Sequence, residues 1–164
     1  MLERLVFSSR IKTRLGTFQI VASDLGLIQI NFPNRYKTSS HHLKAPHHVQ
    51  KILEAGKRFL LRFISGQGYH DGNVPIDWSI FGNFDRRVFK SLRKVSPQLT
   101  ISYSELAKRA KAPRAARAIG NTLNRNPIPI LIPCHRVVRK DQSLGGYAGG
   151  IRWKQTLLKL EQNN

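Results

Sequence analysis

Pro127, Pro129 and Pro133 punctuate one short stretch of this chain and break any regular element that would run through it. They stiffen the approach to Cys134, the only cysteine, which His135 follows directly. Within a loop's length comes Leu144-Gly145-Gly146-Tyr147-Ala148-Gly149-Gly150. A cysteine held by prolines and faced by glycines marks a site that something approaches closely. A thiol becomes a useful nucleophile only as thiolate, and a neighbouring imidazole and local positive charge favour that form. The plain alternative for a lone cysteine is a small buried hydrophobe; the surroundings of Cys134 argue for the nucleophile.

Composition narrows what approaches. The chain of 164 residues carries 28 Lys and Arg against 9 Asp and Glu, a formal charge of +19. Such a field favours a polyanion, nucleic acid or an acidic membrane surface. Apolar runs such as Phe59-Leu60-Leu61 and 128–133 are too short to span a bilayer, and no run near Met1 resembles a signal peptide. One cysteine forms no internal disulfide, in keeping with a reducing compartment. These features predict a cytoplasmic protein, or a nuclear one in a eukaryote. Residues 1–82 carry 11 basic and 5 acidic side chains, and residues 83–164 carry 17 and 4, so the second half is the expected nucleic-acid face.

The pattern predicts an α+β chain of two domains, 1–82 and 83–164. In the first, Phe18, Ile20 and Ala22 alternate with Thr17, Gln19 and Val21, Asp24-Leu25-Gly26 supplies a turn, and Leu27 to Phe32 returns as a second strand. Val49, Ile52, Leu53, Gly56, Phe59, Leu60, Phe63 and Ile64 recur at helical spacing and end at Gly66. His41, His42, His47 and His48 have no cysteine or acid cluster beside them, so they read as a solvated loop and helix start, and no metal is expected. Residues 66–82 read as a connection, with a short extended piece around Val74 to Ile80.

The second domain reads as helical. Asn83 is expected to cap a helix with Phe84, Val88, Leu92 and Val95 on one stripe, stopped before Pro97. Ser102-Tyr103-Ser104-Glu105 fits a capping box that starts a helix through Ala110. Pro113 suits the first turn of another helix, to about Asn124. Two short helices in a basic segment read as a helix-turn-helix, although an ordinary helical hairpin gives the same pattern. On a helical wheel the second helix turns Ala115, Ala116, Ile119, Thr122 and Leu123 one way and Arg114, Arg117, Gly120, Asn121 and Asn124 the other. Small residues around one arginine permit the close backbone approach of a minor groove and leave Arg117 as the side chain able to enter the base stack. In the last helix Trp153, Leu157, Leu158 and Leu160 define the apolar face, and Glu161 points between Leu157 and Leu158. Either this terminus frays and leaves Glu161 in solvent, or the carboxylate turns inward and takes His135 as its partner.

Several of these segments are similar to one family. Ile101-Ser102-Tyr103, the run 115–120, the run 126–138 and Gly146-Tyr147-Ala148-Gly149-Gly150 resemble, in order and spacing, the O6-alkylguanine-DNA alkyltransferases, or methylated-DNA–protein-cysteine methyltransferases. The resemblance covers essentially all of 83–161, with Pro133-Cys134-His135-Arg136-Val137 its most specific part. It implies a small ribonuclease-H-like N-terminal sheet-plus-helix domain, then a mostly helical domain with a (winged) helix-turn-helix. It also implies a monomer off DNA that needs no cofactor, binds duplex DNA in the minor groove, flips out O6-alkylguanine and moves the alkyl group irreversibly onto Cys134.

By the same resemblance Arg114, Ala116, Arg117, Ala118, Gly120 and Asn121 meet the DNA, with Arg117 filling the vacated place. Tyr103 helps to rotate the nucleotide and acts on the base, Asn126 ties the recognition helix to the cysteine loop, and Glu161 works through His135 and water on the cysteine. Val137, Gly145, Gly146, Tyr147, Ala148 and Gly149 shape the guanine pocket. Ala148 stands where many members have serine, so a hydroxyl contact to the lesion is expected to be missing. Two other classes fit parts of the sequence. A lesion-binding protein without transfer would lack the nucleophile that Cys134 supplies, and a cysteine hydrolase would leave the basic helix-turn-helix unexplained.

Overall fold

The computed structural model describes residues 4–35, 44–71 and 73–162, and the chain divides into two compact units, residues 1–80 and 81–164. In the first unit three strands, β1 (Phe7–Thr13), β2 (Gly16–Ala22) and β3 (Leu27–Asn31), form an antiparallel sheet in that order. The β2–β3 hairpin is the one the alternation predicts, with a bulge at Val21 and Ala22. Its inward residues Phe18, Ile20 and Ala22 are completely buried. β1 has no comparable signal, because among its seven residues only Ile11 is a fully buried apolar side chain. It exists through pairing, with Ile11 opposite Phe18, and shows how a partner strand overrides weak local patterning.

The helix α1 (His47–Ile64) covers this sheet, and its buried residues are the eight that the helical spacing selects. Gly56 lets it settle closely: a Cβ there would lie 2.9 Å from Leu27 Cδ1. His47 and His48 open α1 on its exposed side. His41 and His42 lie outside the described residues. The extended piece expected near 74–80 is a single parallel bridge, Leu27 to Ile76, followed by a 3-10 turn at Trp78–Ile80.

The second unit begins with α2 (Asn83–Leu92). Gly82 rather than Asn83 is its cap, with no side-chain bond to the helix end. Phe84 is half-exposed, and Phe89 joins Val88, Leu92 and Val95 in the core instead. The short strand β4 (Ile101–Ser102) runs straight into α3 (Tyr103–Arg109), where Ser102 Oγ accepts from the Glu105 N–H at 3.1 Å. The capping box is therefore half realised, since the Glu105 carboxylate turns to Arg109 one helical turn on.

Pro113 does not start the next helix. α4 spans Ala116–Asn124 with Ala115 as its cap. Lys111 at φ +56° and the bond from Ala112 N–H to Ala107 O close a tight turn first, so Pro113 and Arg114 lie before the helix. α3 and α4 pack on each other. The proline-rich stretch 128–133 is buried throughout and folded on itself, with Ile132 N–H bonded to Ile128 O and Ile130 held at φ +72°. A β-branched residue in that region is strained. A 3-10 turn at Cys134–Arg136 and the strand β5 (Val137–Val138) follow, β5 pairing parallel with β4. The last helix, α5 (Ile151–Gln162), buries Lys154, Leu157, Leu160 and Glu161, while Trp153 and Leu158 are only half-buried. No helix among the described residues is long and apolar enough to cross a membrane.

Candidate active site

Cys134 sits at the start of the 3-10 turn with 6% of its surface exposed. The Asn126 amide holds the turn from α4's end of the chain. Its Nδ2–H donates to Ile132 O at 2.9 Å and lies 3.1 Å from the Cys134 sulfur, while its Oδ1 accepts from Ile128 N–H. One side chain thus satisfies two backbone groups that the prolines leave without a ladder and still reaches the thiol.

Burial pushes the Cys134 thiol up, against the simple expectation of a lowered value. The Asn126 amide, the Tyr147 hydroxyl and the Lys154 ammonium oppose that rise by favouring the thiolate. Tyr147 is itself held well above the ordinary phenol by burial and by the neighbouring sulfur, so its hydroxyl keeps its proton to donate.

His135 and Glu161 are fully or nearly fully buried, and His135 Nε2 meets Glu161 Oε1 at 2.9 Å. Glu161 does not serve His135 alone. The Arg136 guanidinium grips the same carboxylate, with Nε at 3.1 Å from both oxygens and Nη2 at 2.7 Å from Oε1, and its Nη1 donates to Val95 O at 2.6 Å. Burial alone would raise the Glu161 carboxyl, but the His135 and Arg136 bonds outweigh it and pull it down to about 2. An ionised carboxylate only accepts, so the His135 proton sits on Nε2 and Nδ1 is left as the basic nitrogen. Burial lowers the imidazole and Glu161 only partly restores it, with Arg136 and Lys154 opposing, so His135 is neutral at neutral pH.

Lys154 was not visible as a site residue. Its ammonium is completely buried, donating to Val137 O at 2.6 Å and to Leu144 O, and burial brings it down to about 8. It joins the strand after the cysteine to the start of the glycine loop. The signal was present: Lys154 is seven residues from Glu161, so a wheel that turns Glu161 inward turns Lys154 inward as well. Arg136 could have been found as the counter-charge an inward carboxylate needs.

Of the other expected residues, Val137 is buried in β5, Tyr147 is half-buried beside the sulfur, Gly149 is buried, and Gly146 and Ala148 are exposed. Tyr103 opens α3, and its ring reaches α4: a Cβ on Gly120 would lie 3.9 Å from Tyr103 Cε1. Arg114, Arg117, Ala118 and Asn121 are exposed, with Ala116 and Gly120 intermediate, while Ile119, Thr122 and Leu123 face inward. Among the described residues no group of three or more His, Cys, Asp or Glu side chains is arranged to hold a metal ion.

The profile described as "6-O-methylguanine DNA methyltransferase, DNA binding domain" matches residues 83–163. The methylated-DNA–protein-cysteine methyltransferase of Methanosarcina mazei is 48% identical over 49% of this chain and 51% of its own length. The chain thus spans about half the length of that relative. The protein of the same name from Methanothermobacter thermautotrophicus is 36% identical over 87% of this chain and 77% of its own. The chain belongs to the methylated-DNA–protein-cysteine methyltransferase family. Among solved structures, Mycobacterium tuberculosis OGT in complex with DNA superposes with a TM-score of 0.76 at 30% identity, over 94% of this chain and 92% of that one. The family stretch contains every polar contact described for the Cys134 site, including those from Lys154 and Arg136.

Proposed function

We propose that this chain repairs O6-alkylguanine in duplex DNA by transferring the alkyl group to Cys134, once per molecule. The observation that carries this reading is the single cysteine, 3.1 Å from the Asn126 amide, on a turn whose next residue is a neutral histidine fixed by a buried carboxylate. His135 Nδ1 takes the thiol proton, directly or through a water. The sulfur then attacks the alkyl carbon on O6, the S–C bond forms, the C–O6 bond breaks with its electrons passing to the guanine, and the leaving base takes up a proton. Asn126, Tyr147 and Lys154 stabilise the thiolate until it reacts. A thioether has no easy route back to a thiol, so the protein is consumed.

For DNA, α3 and α4 act as a helix-turn-helix, with the segment after β5 as the wing. The exposed small-residue face of α4 enters the minor groove, Arg117 fills the place of the flipped guanine, and Tyr103 guides the nucleotide inward. Extrusion costs a few kcal/mol, least for a damaged base whose pairing is weak. The solved DNA complex of the Mycobacterium tuberculosis relative supports DNA as partner. The sheet under α1 supports a ribonuclease-H-like reading of the first unit, and the protein works as a monomer wherever the genome is housed. Mixing with excess O6-methylguanine duplex should add one methyl group per chain, at Cys134 by peptide mass, and Cys134→Ala should bind DNA and gain none. Continued release of a methylated small product would overturn the proposal in favour of a turning-over enzyme.

A further inference from the structure

A further cation, Arg139, lies by the glycine loop. Arg139 directly follows β5, and the parallel register that sets Ser102 opposite Val138 brings the next residues, Tyr103 and Arg139, to the same end of the ladder. The glycine loop returns over both. Gly145 has φ +65°, and a Cβ on it would lie 3.2 Å from Tyr103 Oη and 3.4 Å from Arg139 Cγ. The Arg139 stem and the phenol therefore flank one glycine, whose left-handed φ disfavours any other residue there.

The turn that presents Arg139 is closed by its own bonds, Arg139 N–H to Ser143 O at 2.9 Å and Gln142 N–H to Arg139 O at 3.0 Å. The acid in that turn, Asp141, accepts from the N–H and Oγ–H of Ser143 through Oδ1, at 3.0 and 2.7 Å, and its charge also feels Arg139. The Tyr103 phenol is raised by burial and pulled back by the Arg139 charge, and the Lys154 ammonium, lowered mainly by burial, is lowered a little further by the same charge. Arg139 itself is exposed. An exposed guanidinium whose stem lies by the glycine loop, next to the half-buried Tyr103 phenol, is suited to an anion that arrives together with an uncharged group entering the Cys134 site.

We propose that Arg139 binds a backbone phosphate of the nucleotide whose base enters the Cys134 site. This inference rests on the DNA-repair reading above. A nucleotide rotated out of a duplex carries its flanking phosphodiesters to the mouth of the pocket that receives the base. The planar guanidinium matches two phosphate oxygens at once, which an ammonium does not. Arg139 is thus a positioning residue that holds the extruded nucleotide by its backbone.

The test uses the full chain with Arg139→Gln and Arg139→Lys, measuring transfer from O6-methylguanine duplex, transfer from free O6-benzylguanine, and, with Cys134→Ala added to stop transfer, affinity for O6-methylguanine duplex against potassium chloride concentration. For Arg139→Gln the expected results are a duplex rate about 10-fold lower, a rate with the phosphate-free base close to parental, and a salt slope smaller by about 0.9, the value of one phosphate contact. Arg139→Lys should keep most of the slope and recover only part of the duplex rate. Parental slope and duplex rate in Arg139→Gln would overturn the inference. Equal slowing on both substrates would overturn it too, because Arg139 would then act through the acidity of Tyr103. If the parent accepted no alkyl group, the repair reading would fall, while the salt slope would still decide the phosphate contact.

Discussion

Glu161 answers to both His135 and Arg136, and that changes what its removal does. Glu161→Gln takes away the charge that orients His135, and it also leaves the Arg136 guanidinium buried without its counter-ion, which costs about 3–5 kcal/mol in comparable pairs. The expected outcome is a slower alkyl transfer at neutral pH, partly recovered at higher pH as Cys134 ionises unaided, together with a clearly lower melting temperature. A variant with parental rate across that pH range would remove Glu161 from the chemistry. The same residue sets an acid limit. Its carboxyl falls from the model-peptide value of 4.5 to about 2 in the folded chain, so the unfolded state binds the proton more readily. Its stabilisation is complete above about pH 4.5 and fades as pH drops toward 2. Lys154 is the second residue whose loss should be measurable. Lys154→Met leaves the carbonyls of Val137 and Leu144 without their donor and removes a charge that favours the thiolate. A hydrogen bond from a charged group is worth about 1.5–3 kcal/mol, so transfer should slow about 10-fold to 100-fold. Iodoacetamide labelling against pH should show the Cys134 thiol titrating higher than in the parent; an unchanged titration would mean that Lys154 only braces the loop.

Among the elements, α1 was legible in full because eight apolar positions at one spacing leave no other way to bury them. α4 was legible in its body and not at its start. Its inward residues Ile119, Thr122 and Leu123 follow the wheel, but its first turn depends on the backbone closure at Lys111 and Ala112, which propensity does not report. The consequence is that Arg114 belongs to the turn before α4 and Arg117 to its exposed first turn. Arg117→Ala should therefore leave the helix and the melting temperature unchanged. It should slow repair of duplex DNA far more than reaction with free O6-benzylguanine, since only the duplex requires a base to be extruded. Equal losses on both substrates would show that Arg117 supports the site rather than the stack. A loss confined to affinity, with a flatter salt dependence, would make it a phosphate contact.

For the whole molecule, the charge of +19 predicts that affinity for any duplex falls steeply as salt rises from about 50 to about 200 mM, by a factor set by the number of phosphates neutralised. The rate with a free alkylated base should barely respond over that range, and a similar salt response from both would indicate that screening acts on the site itself. The sequence alone determined the hairpin, α1 and the Ser102 cap, and marked Cys134 as the candidate nucleophile. Periodicity, caps and proline positions are local properties, and a short window of chain contains everything needed to evaluate them. Spacing on the last helix set Glu161 between Leu157 and Leu158 and left two outcomes, a frayed end in solvent or an inward carboxylate paired with His135. Only the tertiary structure decided that Glu161 turns inward and meets Arg136 as well as His135, that Lys154 on the same helix would be buried, that β1 would be a strand at all, and that burial would raise the Cys134 thiol. Each of those depends on residues far apart in sequence, and which of them meet is fixed by packing, where buried polar groups must find partners wherever the fold supplies them.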